Sequence, residues 1–196
     1  MQPARMGKTP SYSRNGGVTM KPYMKRPVLL SAILLLMVGL WIAYVRGDIG
    51  MSERAMCLEN GDSMEPGDSF KSQIGESVAV FLHYNVEEDD YDLDIYVKRK
   101  NNVGWFFRFG GASGALDYLV QMNCEGNDEY VLTYLSAVPL GHAPAVSRIE
   151  VDKGGGESMT ITPEAGAPFA YVMDHRWNVV VYGVDGSIIE PVERNM

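Results

Sequence analysis

The sequence predicts an all-β protein: an antiparallel sandwich or barrel-like extracytoplasmic domain that follows a single N-terminal transmembrane helix. Three observations lead to this prediction. One stretch near the N-terminus contains 18 residues without a charge. The chain after it contains short segments in which apolar and polar residues alternate, which is the period of a half-buried strand. Gly, Pro, Asn and Asp residues separate these segments, as they do in turns.

Residues 1–27 form a basic segment with six Lys or Arg residues and no acid. Cytoplasmic flanks of membrane helices carry an excess of Lys and Arg, so we expect the N-terminus to stay in the cytoplasm. The segment is rich in Pro, Gly and Ser and has no apolar periodicity. It is therefore predicted to be a disordered cytoplasmic tail.

Residues 28–45 are the predicted transmembrane helix. At about 1.5 Å per residue they cover about 27 Å, close to the thickness of the bilayer core. A cleaved signal peptide is the alternative, but its apolar core is usually about 7–15 residues and precedes a small-x-small site. Val45 stands where that site needs a small residue, and Trp41 and Tyr44 suit the interfacial aromatic belt. The pattern favours an uncleaved signal-anchor.

The chain beyond the tail is acidic. Residues 28–196 contain 11 basic and all 25 acidic side chains, a net charge of −14. Such a surface repels nucleic acid and anionic lipid. We therefore expect no nucleic-acid partner, and a membrane contact through the one spanning helix.

Residues 46–76 are predicted to be a juxtamembrane linker and domain entry, because Gly and Pro interrupt them and no period is sustained. Residues 77–196 are the predicted β-rich domain. Val78–Tyr84 and Tyr91–Arg99 alternate around a charged hairpin tip, and in the second segment one face is expected to be buried and the other wet. The remaining predicted strands are Gly104–Phe109, Tyr118–Cys124, Tyr130–Val138, Val146–Val151, Ser158–Thr162, Phe169–Met173 and Asn178–Val184, followed by an Asp185-Gly186 hairpin turn.

Cys57 and Cys124 are predicted to form a disulfide, because both fall on the outer side, where oxidising conditions preserve such a bond. In the chain-entropy model the bridge would stabilise the fold by about 4 kcal/mol. Two unpaired thiols are the alternative, since a sequence does not show whether two cysteines are close in space.

Two short motifs resemble those of type I signal peptidases, whose membrane-anchored β domain uses a Ser nucleophile and a Lys general base. Residues 61–66 read Gly-Asp-Ser-Met-Glu-Pro, and residues 96–99 read Tyr-Val-Lys-Arg. The resemblance implies Ser63 as the nucleophile and Lys98 as the base, since a lysine in an apolar site has a lowered pKa. The family's later Gly-Asp-Asn-Arg box is absent, and Lys98 falls on the polar side of its strand. The sequence thus lacks a complete catalytic constellation.

The acidic run at the hairpin tip is a candidate Ca²⁺ site, because clustered carboxylates supply hard oxygen ligands. It lacks the spacing of an EF-hand, and a solvated charge run is the main interpretation. His83, His142 and His175 share no metal-ligand spacing, and no metal or cofactor is predicted. The candidate Ca²⁺ ligands are Glu87, Glu88, Asp89 and Asp90.

A row of aromatic residues at 105–109 must point to both faces of its strand. One set is predicted to be core. The other set, Phe106 with Arg108 beside it, is a candidate interaction surface, because exposed aromatic and Arg side chains favour interface hot spots.

Taken together, these features predict a non-enzymatic, membrane-anchored extracytoplasmic β domain. It would act as a binding or interaction module of the cell envelope, with a protein partner there and an unknown ligand. The alternative is a divergent Ser-Lys membrane peptidase. That activity needs Ser63 Oγ and Lys98 Nζ within about 3 Å in a pocket sheltered from water.

Overall fold

The computed structural model describes residues 22–62, 67–85, 90–110, 119–134 and 146–196, with side chains for all of these except residues 22–26 and 62. The chain divides into two compact units, Met1–Ala43 and Tyr44–Met196. Residues 1–21 of the predicted tail lie outside the described residues.

The apolar stretch near the N-terminus forms one helix, as predicted. Helix α1 runs over Pro22–Val45, and its part from Pro27 to Val45 is long and apolar enough to cross a membrane. None of that 19-residue part is buried inside the protein. Its Leu, Ile, Val and Met side chains are largely exposed.

The second unit is built mainly from strands, so the predicted all-β class is confirmed. Most of the predicted strands are present, and a short helix α2 precedes them. The elements are α2 (Glu53–Asp62), β1 (Ser69–Ile74), β2 (Val78–Asn85), β3 (Asp90–Lys98), β4 (Trp105–Phe109), β5 (Leu119–Asn123), β6 (Glu129–Tyr134), β7 (Val146–Gly154), β8 (Glu157–Ile161), β9 (Phe169–Asp174), β10 (Asn178–Gly183), β11 (Ile188–Ile189) and β12 (Val192–Asn195).

The strands form three four-stranded sheets. The first sheet has the order β1-β2-β3-β4, the middle sheet β12-β5-β6-β9, and the third sheet β11-β10-β7-β8. All pairings are antiparallel except that of β12 with β5, which is parallel. In the described part of the chain, none of the three sheets closes into a barrel.

Two apolar cores separate the three sheets. The first core joins Val80, Leu82 and Ile95 of the first sheet to Val120 and Val131 of the middle sheet. The opposite face of the middle sheet packs on the third sheet, and this second core includes Leu132, Phe169, Ile149, Val151 and Val181. The middle sheet is thus buried on both faces, which explains why Tyr130, Val131, Leu132 and Thr133 of β6 are all buried in succession.

Helix α2 covers the outer face of the first sheet. Met56 packs there with Phe81, Tyr96 and Trp105, and Asn60 Nδ2 donates a hydrogen bond to Tyr96 Oη at 3.3 Å. The predicted wet face of β3 is therefore partly wrong: Tyr96 is buried, because a helix that the sequence pattern does not predict packs over it. Helix α2 and β1 both lie in the stretch predicted to be a linker and domain entry.

Two predicted turns are formed. At Asp185-Gly186 the chain reverses between β10 and β11, and Gly186 has a φ of 80°, which favours glycine. Asn85 pairs with Asp90, so β2 and β3 form the predicted hairpin. Its tip lies outside the described residues.

Candidate functional site

Lys98 ends strand β3, and its side chain is exposed. Its Nζ donates a hydrogen bond to the carbonyl oxygen of Glu76 at 2.8 Å and lies 4.4 Å from the centroid of the Trp105 ring. A carbonyl acceptor and an aromatic face both suit an ammonium ion. Ser63, the other residue of the predicted pair, lies outside the described residues.

The predicted disulfide is wrong: Cys57 and Cys124 are both free. Cys57 lies on α2 and packs in the cluster on the outer face of the first sheet. Cys124 belongs to the core between the first and middle sheets. The first sheet stands between the two thiols, whereas a disulfide requires Cα atoms within about 7 Å. Burial raises the pKa of the Cys124 thiol to about 11.

The candidate Ca²⁺ ligands are described only in part. Asp90 is the exposed first residue of β3, and Glu87, Glu88 and Asp89 lie outside the described residues. Within the described ranges no group of three or more His, Cys, Asp or Glu side chains could hold a metal ion.

The aromatic strand β4 contains a register shift opposite Ile95 and Tyr96. Phe107 pairs with Tyr96 and Phe109 pairs with Ile95, so simple alternation fails at the bulge. Phe106 is half-buried with the Arg99 guanidinium 4.4 Å from its ring centroid, and Arg108 is exposed. The most exposed ring of this strand is instead Phe107, at 56%.

His83 is a buried histidine on the outer face of the first sheet. It pairs across the sheet with Asp92, its ring lies 4.7 Å from that of Phe70, and its Nε2 has no hydrogen-bond partner. Burial lowers the pKa of His83, and the negative charges of Asp92 and Asp68 oppose this effect. His142 lies outside the described residues, and His175 is in the turn between β9 and β10.

Asp94 lies two residues from Asp92 on the same face of β3. Burial raises its pKa to about 6, and the carboxylates of Asp92 and Glu59 add to the shift. The outer face of the first sheet thus carries a histidine, His83, whose pKa is lowered and a carboxyl group, Asp94, whose pKa is raised.

A concave surface lies on the outer face of the third sheet. It is a groove of about 380 Å³, called the third-sheet groove below. Its side chains form two rows across β10, β7 and β8. In the first row Asn178 pairs with Asp152, and Asp152 pairs with Ser158. The second row lies two residues away on each strand. The second row is Val180, Glu150 and Thr160.

Beyond one end of the third-sheet groove a cation lies above an aromatic ring. The Arg148 guanidinium lies 4.0 Å from the Tyr182 ring centroid, and Arg148 Nε donates to Glu150 Oε1 at 2.9 Å. A second such pair lies outside the groove: Lys153 Nζ is 5.1 Å from the Trp177 ring centroid, and Trp177 packs against the core between the middle and third sheets. Carboxylates, hydroxyls and an amide line the groove itself.

Sequence reasoning did not find the third-sheet groove. Alternating polar residues in β7 and β8 have the pattern of any solvated strand face, and only the cross-strand register brings Asp152, Ser158 and Asn178 together.

Comparison of the chain with protein families, curated proteins and solved structures gives no match.

Proposed function

We propose that this chain is a single-pass membrane protein that holds a non-enzymatic β domain on the extracytoplasmic side as a binding module of the cell envelope. The observation that carries the proposal is helix α1. Its 19 residues from Pro27 to Val45 reach about 28 Å at 1.5 Å per residue, and none of this segment is buried by protein. A folded β unit follows directly, beginning at Tyr44.

The charge distribution supports the proposed orientation. Six basic residues and no acid precede the helix, whereas the chain after it is strongly acidic. Because basic flanks stay in the cytoplasm, the six basic residues before the helix support an extracytoplasmic β unit. A charged exterior also keeps such a domain soluble beside the membrane.

The third-sheet groove is the proposed binding surface. It offers hydrogen-bond donors and acceptors from three adjacent strands, and its backbone is rigid because Ile149, Val151 and Val181 are buried directly beneath it. A ligand such as an extended polar segment of an envelope protein could use Asp152 and Asn178 as acceptor and donor.

The described contacts of Lys98 favour a binding module over the peptidase. A catalytic base must be neutral and sheltered, whereas the Lys98 side chain is exposed and bound to the Glu76 carbonyl. The peptidase alternative is tested directly by adding peptide substrates to the full-length chain and to its Ser63→Ala variant. Turnover by the parent chain but not by the Ser63→Ala variant would support the peptidase and contradict the binding proposal.

The anchor is tested by expressing the full-length chain in a bacterium. We expect it to resist alkaline extraction from membranes, to keep its N-terminal residues in an intact-mass measurement, and to lose the β unit when protease is added to spheroplasts. Release by alkali, a cleaved N-terminus, or protection of the β unit without lysis would each contradict the proposal.

The groove is tested by placing a photo-crosslinking amino acid at Thr160 or Asn178 in the full-length chain. The matched control position is Glu193 on β12, which is exposed but lies outside the groove. We expect adducts from the two groove positions, and their loss in an Asp152→Ala background. Equal adducts from position 193, or none from the groove, would contradict a binding role for this face.

A further inference from the structure

The turn between β3 and β4 is the most basic part of the β unit. Lys98, Arg99 and Lys100 are consecutive and exposed; residues 98–103 are called the basic hairpin below. Together with residues 46–54 the hairpin carries five basic and two acidic side chains. The rest of the chain after residue 45 carries six basic and 23 acidic side chains. Net positive charge is thus concentrated in the basic hairpin, whereas residues 46–54 are balanced, with two basic and two acidic side chains.

These two segments are hydrogen-bonded to each other. Asn102 Nδ2 donates to the Gly47 carbonyl oxygen at 3.3 Å, and Val103 N donates to the Asp48 carbonyl oxygen at 3.1 Å. Gly50 N donates to the Val103 carbonyl oxygen at 2.7 Å. The basic hairpin is therefore fixed to the residues that immediately follow helix α1.

The attachment continues along the chain into β4. Met51 and Trp105 exchange two backbone hydrogen bonds of 2.8 Å each. A Cβ atom at Gly50 would lie 2.4 Å from the Trp105 carbonyl oxygen, and one at Gly104 would lie 2.7 Å from the Met51 carbonyl oxygen. Only glycine permits so close an approach at these two positions, so the contact is a specific feature of this sequence.

Connectivity places this contact near the end of the apolar helix. Gly47 is two residues after Val45, the last residue of α1, and two residues of extended chain span at most about 7 Å. The Debye length at physiological ionic strength is about 8 Å. Gly47, which accepts the hydrogen bond from Asn102 of the basic hairpin, therefore lies within about one Debye length of the last residue of α1.

We propose that the basic hairpin docks on the phosphate headgroups of the membrane that α1 enters, with Arg99 and Lys100 as its main contacts. This inference rests on the membrane anchor proposed above. The acidic remainder of the domain is repelled by anionic headgroups while the hairpin is attracted, so the two forces together orient the domain. The general expectation that this acidic domain avoids anionic lipid thus has a local exception.

The test uses the full-length chain in nanodiscs made with and without phosphatidylglycerol. A nitroxide is attached through Asn101→Cys in a Cys57→Ser, Cys124→Ala background, and lipids with a nickel-chelating headgroup report its distance from the surface. A second label at Ser158→Cys on the third sheet is the reference. We expect a larger nickel effect at position 101, an increase with phosphatidylglycerol and a decrease with added salt.

Matched charge variants separate docking from general electrostatics. Lys100→Gln should lower the ratio of docked to undocked hairpin about fivefold, whereas Lys153→Gln on the third sheet should leave it unchanged. Nickel effects that are equal at positions 101 and 158 and do not change with lipid charge or salt would overturn docking. They would leave the proposed anchor unaffected. Failure of the chain to enter nanodiscs would overturn both the anchor and the docking.

Discussion

The carboxylate of Glu129 on β6 binds the backbone of Ser77 in the β1–β2 turn: Oε2 accepts a hydrogen bond from Ser77 N at 2.7 Å and from Ser77 Oγ at 3.1 Å. The neighbouring amides of Glu76 and Val78 donate to the same carboxylate at 2.9 Å each. One acid of the middle sheet thus satisfies three consecutive amides that end a hairpin of the first sheet. A Cβ at Gly75 would lie 2.4 Å from Glu129 Oε1, so a larger residue at this position would displace the Glu129 carboxylate.

Replacing Glu129 should therefore weaken the contact between two sheets. Glu129→Gln presents an amide group to backbone donors, and we expect a loss of about 2 kcal/mol in the free energy of unfolding. The measurement is urea unfolding of the detergent-solubilised chain. Glu157→Gln, at an exposed carboxylate on β8, is the control and should change stability by less than about 0.5 kcal/mol. Equal effects of the two substitutions would show that the Glu129 contacts contribute nothing.

Gly50→Ala should loosen the attachment between residues 47–51 and β4. The added Cβ would overlap the Trp105 carbonyl, and overpacking of this kind costs about 1–3 kcal/mol. Hydrogen exchange at the Met51 and Trp105 amides should become faster. Gly61→Ala in α2 is the control, because a Cβ there meets no atom within 4 Å and alanine favours a helix. Unchanged exchange in the Gly50 variant would contradict the close approach.

Asp94 should make the protein less stable as pH rises from about 4 through about 6. Its pKa is about 6 in the folded protein, above the ordinary value, so the folded state binds more protons in this window and loses that advantage on ionisation. Asp94 is half-exposed, and after allowance for solvent screening we expect about 1 kcal/mol. Asp94→Asn should remove this dependence in unfolding measurements across the window. Asp90→Asn, at the exposed start of the same strand, should not. A pH profile of Asp94→Asn that matches the parent would refute the assignment.

His83 should act in the opposite direction. Burial lowers its pKa in the folded protein, so the unfolded chain binds more protons, and stability falls as pH decreases from about 6.5 towards the lowered value. A ¹H NMR titration should give His83 a midpoint below the ordinary value for histidine. His83→Phe should reduce the loss of stability on acidification. A midpoint for His83 above the ordinary histidine value would show that the charges of Asp92 and Asp68 outweigh burial.

The two cysteines should behave as free thiols. Cys57 is half-buried and should react with a maleimide in the folded chain, whereas Cys124 should react only after unfolding, because it is 2% exposed and burial raises its pKa to about 11. Mass spectrometry of labelled peptides makes the distinction. A reducing agent should leave the thermal unfolding transition unchanged. A shift of the transition to lower temperature would instead support the predicted disulfide between Cys57 and Cys124.

Several features of this protein were readable from consecutive residues. The apolar run of α1, the alternation in β2 and β3, and the Asp185-Gly186 turn are local signals, because helix length, strand period and turn conformation depend on neighbours in the chain. They determine the β class and the apolar helix. The hairpin of β2 and β3 also follows, since a short charged tip joins two alternating segments.

Other features were decided by the tertiary structure alone. The burial of Tyr96 depends on α2. The separation of Cys57 from Cys124 depends on which face of the first sheet each one packs against. The third-sheet groove depends on pairing between distant strands. A strand pattern shows that a face is polar or apolar, but it does not show which layer covers that face. The order of the layers arises from contacts between residues far apart in sequence. The sequence by itself therefore determined the apolar helix and most of the strands, and only the packing decided helix α2 and what covers each face.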